Sequence, residues 1–89
     1  MPVSRQVQIT NKRGLHARAS AKFVTLASSL PVEVIVVKDG PGVTGTSIMG
    51  LMMLGAAMGD TITISADGDG ADGAVGALCE LVEAKFGED

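Results

Sequence analysis

His16 is the only histidine in the 89 residues, and it stands two positions before Arg18 in the run Gly14-Leu15-His16-Ala17-Arg18. A neutral imidazole has a nucleophilic nitrogen near physiological pH. A guanidinium beside it offers a planar fork for phosphate oxygens. Ala19, Phe23, Leu26 and Leu30 follow at i, i+4, i+7 and i+11, with Val24 and Ala27 beside them, the spacing of an amphipathic helix. A helix that begins near Ala17 places His16 at its N-cap. The first-turn N–H groups have no partner inside such a helix, and its start carries about half a positive charge. Phosphate binds readily at such an end. The chemistry expected at His16 is therefore phosphoryl acceptance. No acid lies near His16 in sequence to complete a triad, and Cys79 belongs to a different pattern.

Other stretches carry weaker signals. Gly40-Pro41-Gly42-Val43-Thr44-Gly45-Thr46-Ser47 approaches a nucleotide-binding P-loop, but Thr46 replaces the lysine that such a loop needs. Pro41 after Asp39-Gly40 fits a hairpin better. Asp67, Asp69 and Asp72 hint at a calcium loop, which fails at Ala71, Asp72 and Leu78, so these acids read as solvated turn residues. Cys79 shares a helical apolar pattern with Val75, Leu78 and Val82, as a buried thiol would. With one Cys and one His, neither an intramolecular disulfide nor a Cys/His zinc site can form. No metal and no cofactor are expected.

Length and composition bound the rest. The chain has room for one small domain, residues 1–89, and one core. An apolar fraction of 46% with no Trp or Tyr calls for an aliphatic core around Phe23 and Phe86. Residues 1–32 hold five basic residues and no acid, whereas residues 33–89 hold two lysines and ten acids, giving +5 and −8 and a net of −3. The basic first third suits an anionic substrate or an acidic partner. Nucleic acid fits less well, because aromatic and basic density is missing. No signal peptide is visible, and Ile48 to Met58 falls far short of the ~20 residues that a membrane span needs. A soluble, cytoplasmic protein is expected.

Elements that position His16 can be read in order. Val3 to Thr10 alternates as a half-buried strand, with Val3, Arg5, Val7 and Ile9 on one face. The first helix closes at Leu30-Pro31. Val32 to Val37 reads as a buried strand, Asp39-Gly40 as a hairpin turn, and a short strand follows near Val43. Thr46-Ser47 opens a short apolar helix, Ile48 to Leu54, that ends around Gly55. Thr61 to Ala66 alternates as a fourth strand. After an acidic turn from Asp67 to Gly73, Val75, Leu78, Leu81/Val82 and Lys85/Phe86 mark a last amphipathic helix. The order β-α-β-β-α-β-α suggests an α+β fold, with helices on one face of a mostly antiparallel sheet. Met49, Met52 and Met53 recur at i, i+3 and i+4 in a helix too short to bury all its apolar residues. Some must face water or a partner.

Two of these stretches resemble a known family. Gly14-Leu15-His16-Ala17-Arg18 closely resembles the active-site motif of HPr, the histidine-containing phosphocarrier of the bacterial sugar phosphotransferase system. Thr46-Ser47-Ile48-Met49-Gly50 resembles that family's second motif, around its regulatory serine. Spacing and element order agree over residues 3–86. The resemblance implies an open-faced β-sandwich, a four-stranded antiparallel sheet with three helices on one side. It implies that His16 takes a phosphoryl group on Nδ1 from phosphorylated enzyme I, charged by phosphoenolpyruvate, and passes it to an enzyme IIA-type acceptor. Such a protein is a transiently phosphorylated component of the system, acting as a monomer, rather than a turnover enzyme. Arg18 matches the arginine beside the phosphohistidine, and Ser47 the serine modified by an ATP-dependent HPr kinase/phosphorylase. Ile48, Met49 and Met52 are then the partner-docking residues. Ala19 stands where the family usually has proline; alanine suits a helix and leaves its N–H available. The Ala-Ser pair after Arg18 and the Met-rich second helix look more like the nitrogen-related, NPr-like branch. The alternative is a purely regulatory binding module controlled through Ser47, with His16 unused.

Overall fold

In a computed structural model the described residues are 2–88. Four strands, β1 (Val3–Gln8), β2 (Val34–Val37), β3 (Val43–Thr44) and β4 (Thr61–Ala66), form one sheet in the order β1-β4-β2-β3. Every pairing is antiparallel, with Val7 opposite Ile62, Arg5 opposite Ile64 and Val36 opposite Ile64. The helices are α1 (Ala17–Ser28), α2 (Ile48–Met53) and α3 (Ala71–Glu83), followed by a 3₁₀ turn at Lys85–Gly87. This is the α+β arrangement that the element order implied, and the open-faced sandwich that the resemblance implied.

Strand alternation determines which side is covered. Val7, Val34, Val36, Ile62 and Ile64 are all buried and form the floor of the core. Phe23, Leu51, Val75, Leu78 and Val82 close it from the helix side. Arg5 points to the same side but lies on an edge strand, so its side chain runs out over α3 at Gly76 and stays exposed. The core is tight near the second motif, where a Cβ on Gly45 would sit 3.1 Å from the Phe23 ring. Cys79 is a free, buried thiol, and desolvation pushes its pKa up against the opposing charge of Arg5. Leu78 is fully buried within the core. Leu78→Ala is expected to cost about 2–5 kcal/mol as a core truncation. Chemical denaturation measures it, and a change under about half a kcal/mol would detach α3 from this core.

Strand β2 starts at Val34 rather than Val32, α1 ends at Ser28 before Leu30-Pro31, and α2 ends at Met53 rather than Leu54. Three further boundaries differ from the sequence reading, each for a physical reason. The first strand stops at Gln8. Ile9 is still buried, but its backbone pairs with the loop before β4, through Ile9 N–H to Asp60 O at 2.8 Å and Gly59 N–H to Ile9 O at 2.8 Å. The last helix starts at Ala71, inside the stretch read as an acidic turn to Gly73, behind Gly70, whose φ of +88° and close approach to Pro31 require glycine. That helix also ends at Glu83 and does not reach Phe86. Phe86 is buried nonetheless, because the chain reverses at Lys85 and Phe86, with φ of 57° and 56°.

Candidate functional site

His16 occupies the N-cap of α1 in an extended conformation, and its carbonyl accepts the first intrahelical bond from Ser20 N–H at 2.9 Å. Its side chain does not cap the helix. The first-turn N–H groups of Ala17, Arg18 and Ala19 are thus the open end foreseen from the spacing, with no acidic residue in that turn to occupy them.

The loop before it is locked. Gly14 takes a φ of +64°, and a Cβ there would lie 2.4 Å from Ala56 O, so only glycine fits. Leu15 N–H donates to the same Ala56 carbonyl at 2.9 Å. Ser20 Oγ donates to Leu15 O at 3.2 Å. Asn11 is fully buried beneath the loop and donates from Nδ2 to Gly14 O at 2.9 Å. The helix start and the loop that leads into it are therefore one rigid piece.

No acid neighbours His16 in sequence, but the fold brings one to it from the far end of the chain. The imidazole is only 16% exposed, and its Nε2 lies 3.0 Å from Oε1 and 3.2 Å from Oε2 of Glu88, 72 positions along the chain. Asn11 Nδ2 also donates to Glu88 Oε1, at 2.9 Å. These two bonds, His16 first and Asn11 second, hold the Glu88 carboxyl below the usual glutamate range. An ionised carboxylate can only accept, so Nε2 carries the proton. In the neutral ring the lone pair is then on Nδ1, which makes no hydrogen bond among the described residues. The one sequence hint was Gly87-Glu88, a stop signal followed by an acid just past the last apolar residue.

A pH dependence follows from that shift. A carboxyl with a depressed folded-state pKa stabilises the fold above its unfolded pKa. The contribution is lost as pH falls through the folded value. Wild type is expected to melt above Glu88→Gln at neutral pH, and the two should converge on acidification below the ordinary glutamate range. A gap that stays constant with pH would detach Glu88 from the pair.

Arg18, one residue into α1, is exposed and makes no hydrogen bond or ion pair among the described residues. Beside Lys22, Leu26 and Leu81 it borders an apolar groove between α1 and α3. Ser47 is the N-cap of α2, and its Oγ accepts from Gly50 N–H at 2.9 Å. Helix α2 buries Leu51 and leaves Ile48, Met49, Met52 and Met53 exposed at 42%, 69%, 41% and 77%, with Met58 beyond it at 59%. Because α2 packs on α1, and Ala56 ties the following loop to Leu15, this apolar patch and His16 belong to the same end of the molecule. The Gly-rich segment from Gly40 supplies the turn into β3 and Gly40 has a φ of +70°, as a hairpin demands.

Comparison with known proteins agrees with this arrangement. Residues 3–84 match the family model described as the PTS HPr component phosphorylation site. The chain is 46% identical over 86 residues to phosphocarrier protein NPr of Shewanella violacea, covering 97% of this chain and 94% of that one. It is 48% identical to phosphocarrier protein HPr of Neisseria meningitidis, covering 97% of each. Among solved structures, HPr from Thermoanaerobacter tengcongensis superposes with a TM-score of 0.92 at 44% identity, covering 98% of each chain. The chain belongs to the HPr family of phosphocarrier proteins. Membership makes it a phosphoryl-carrier component of a phosphotransferase system. Among the described residues, no helix is long and apolar enough to cross a membrane.

Proposed function

We propose that the protein accepts a phosphoryl group on Nδ1 of His16 from phosphorylated enzyme I and passes it to an enzyme IIA-type acceptor. The observation that carries this reading is the placement of His16. It stands at the open end of a twelve-residue helix, with Nε2 engaged by Glu88 and Nδ1 left without a hydrogen bond among the described residues. In the transfer, the Nδ1 lone pair forms the new N–P bond while the donor's bond to phosphorus breaks. The first-turn N–H groups stabilise the charge on the phosphoryl oxygens without a metal, and Arg18 is free to swing in as a fork. The hand-on step is the reverse, with the N–P electron pair returning to Nδ1.

Ile48, Met49 and Met52 form the docking face, since exposed methionines adapt to differently shaped partners. Ser47, at the start of that face, is the regulatory serine, a substrate for an HPr kinase/phosphorylase. The Ala-Ser pair after Arg18 and the exposed methionines of α2 favour a nitrogen-related regulatory branch, and the protein works as a cytoplasmic monomer shuttling between larger partners. The test is incubation with labelled phosphoenolpyruvate and the host's enzyme I. An acid-labile adduct that maps to His16 supports the reading. No label, or an acid-stable one elsewhere, overturns it.

A further inference from the structure

The last described residues do something unusual. Lys85 and Phe86 are consecutive non-glycine residues at φ of 57° and 56°, a region that L residues rarely adopt. Such a pair persists only where its surroundings over-determine it. Three contacts do so here. The Phe86 ring is 1% exposed, within the core. Lys22 Nζ, from α1, donates to Phe86 O at 2.7 Å. Gly87 and Glu88 N–H groups donate back to Ala84 and Lys85 carbonyls, each at 3.0 Å. Had α3 simply continued, nothing would turn the chain back towards α1. The hook delivers Glu88 to His16, and buried Asn11 holds Glu88 with the amide that also holds Gly14.

We propose that Glu88 is a positioning residue for His16, acting with Asn11 to fix the ring and its tautomer. This rests on the reading of His16 as the phosphoryl acceptor. The carboxylate takes the Nε2 hydrogen and so keeps the lone pair on Nδ1, the atom that attacks phosphorus. As the N–P bond forms, positive charge develops on the ring. A carboxylate 3.0 Å from Nε2 stabilises that charge while the proton stays on Nε2. When the group is handed on, the N–P electrons return to Nδ1 and the starting tautomer is restored. The arrangement works as the orienting carboxylate of a nucleophile–carboxylate pair, assembled from opposite ends of the described chain.

Nitrogen-15 NMR of the His16 ring, transfer kinetics with enzyme I, and melting temperature separate the outcomes for wild type, Glu88→Ala and Glu88→Gln. Wild-type neutral His16 should show the Nε2–H tautomer. Glu88→Ala should give a mixture and lower kcat up to about 100-fold, the size of loss that a misplaced reacting group brings. KM for enzyme I should barely move, because the docking face is untouched. Glu88→Gln keeps an acceptor oxygen, so it should restore the tautomer and much of the rate. A wild-type Nδ1–H tautomer would overturn the proposal, whatever the variants do. So would a fall in melting temperature with kcat and tautomer unchanged, the mark of a purely structural clamp. Absence of label on wild-type His16 after incubation with labelled phosphoenolpyruvate and enzyme I would instead defeat the acceptor reading itself, independently of the tautomer.

Discussion

In the His16→Ala protein, phosphoenolpyruvate-dependent labelling is expected to fall to background, at least roughly 10³-fold below wild type, as removal of a covalent nucleophile does. No neighbour can replace it. Ser20 is fully buried and its hydroxyl already donates to Leu15 O. Cys79 lies in the core, where burial pushes its thiol away from the reactive thiolate. The open amides of α1 survive the substitution, so phosphate can still be attracted there but has nothing to bond to covalently. His16 makes no side-chain cap bond, so its capping position alone adds little stability. Its contact with Glu88 modifies that, and a small fall in melting temperature should accompany the loss of labelling. The fall stays small because Glu88 is partly exposed and water can take the place of the ring. Retained labelling, at any residue, would sink the carrier reading.

How much of this was legible in the chain depends on the distance over which each feature is determined. The helix at Ala17 and the strand at Thr61–Ala66 follow from local periodicities of 3.6 and 2, and both appear where the pattern puts them. The exposed methionines follow from geometry, since six residues of helix have only one face to bury and Leu51 takes it. Glu88 was invisible for two reasons. It meets His16 across 72 positions, and it gets there through a left-handed turn at Lys85 and Phe86 that no local rule would assign to those residue types. Phe86 even misleads, because it sits four residues after Val82 and so continues the helical stripe. The core satisfies that stripe by reversing the backbone, and the reversal is what carries the carboxylate to the site. Asn11 was missed likewise. In sequence it is an ordinary turn residue, whereas its burial shows that it joins the His16 loop to the hook.

Ser47→Asp should leave the melting temperature unchanged or slightly higher while slowing phosphoryl transfer from enzyme I to His16. Ser47 is the N-cap of α2, with Oγ accepting from Gly50 N–H at 2.9 Å. Aspartate caps a helix about as well as serine, and its charge meets the positive end of the dipole, worth about 0.3–1 kcal/mol. With only six residues in α2, the lower part of that range applies. The folded protein therefore tolerates the charge. A complex does not, because Ser47 stands where the exposed patch of Ile48, Met49 and Met52 begins, and docking would strip water from an unpaired carboxylate. A penalty of about 2–3 kcal/mol, reached only in the complex, corresponds to roughly 30- to 150-fold weaker binding. Transfer measured below saturation should fall by a similar factor, whereas saturating enzyme I should recover most of the rate, because His16 and the α1 amides are unchanged. Equal transfer rates for Ser47→Asp and wild type would remove Ser47 from the interface. A large loss of stability would place it in the core, contrary to its partial exposure, and the regulatory role would fall with it. A loss of rate that saturation cannot recover would mean that the charge acts on His16 directly rather than through docking.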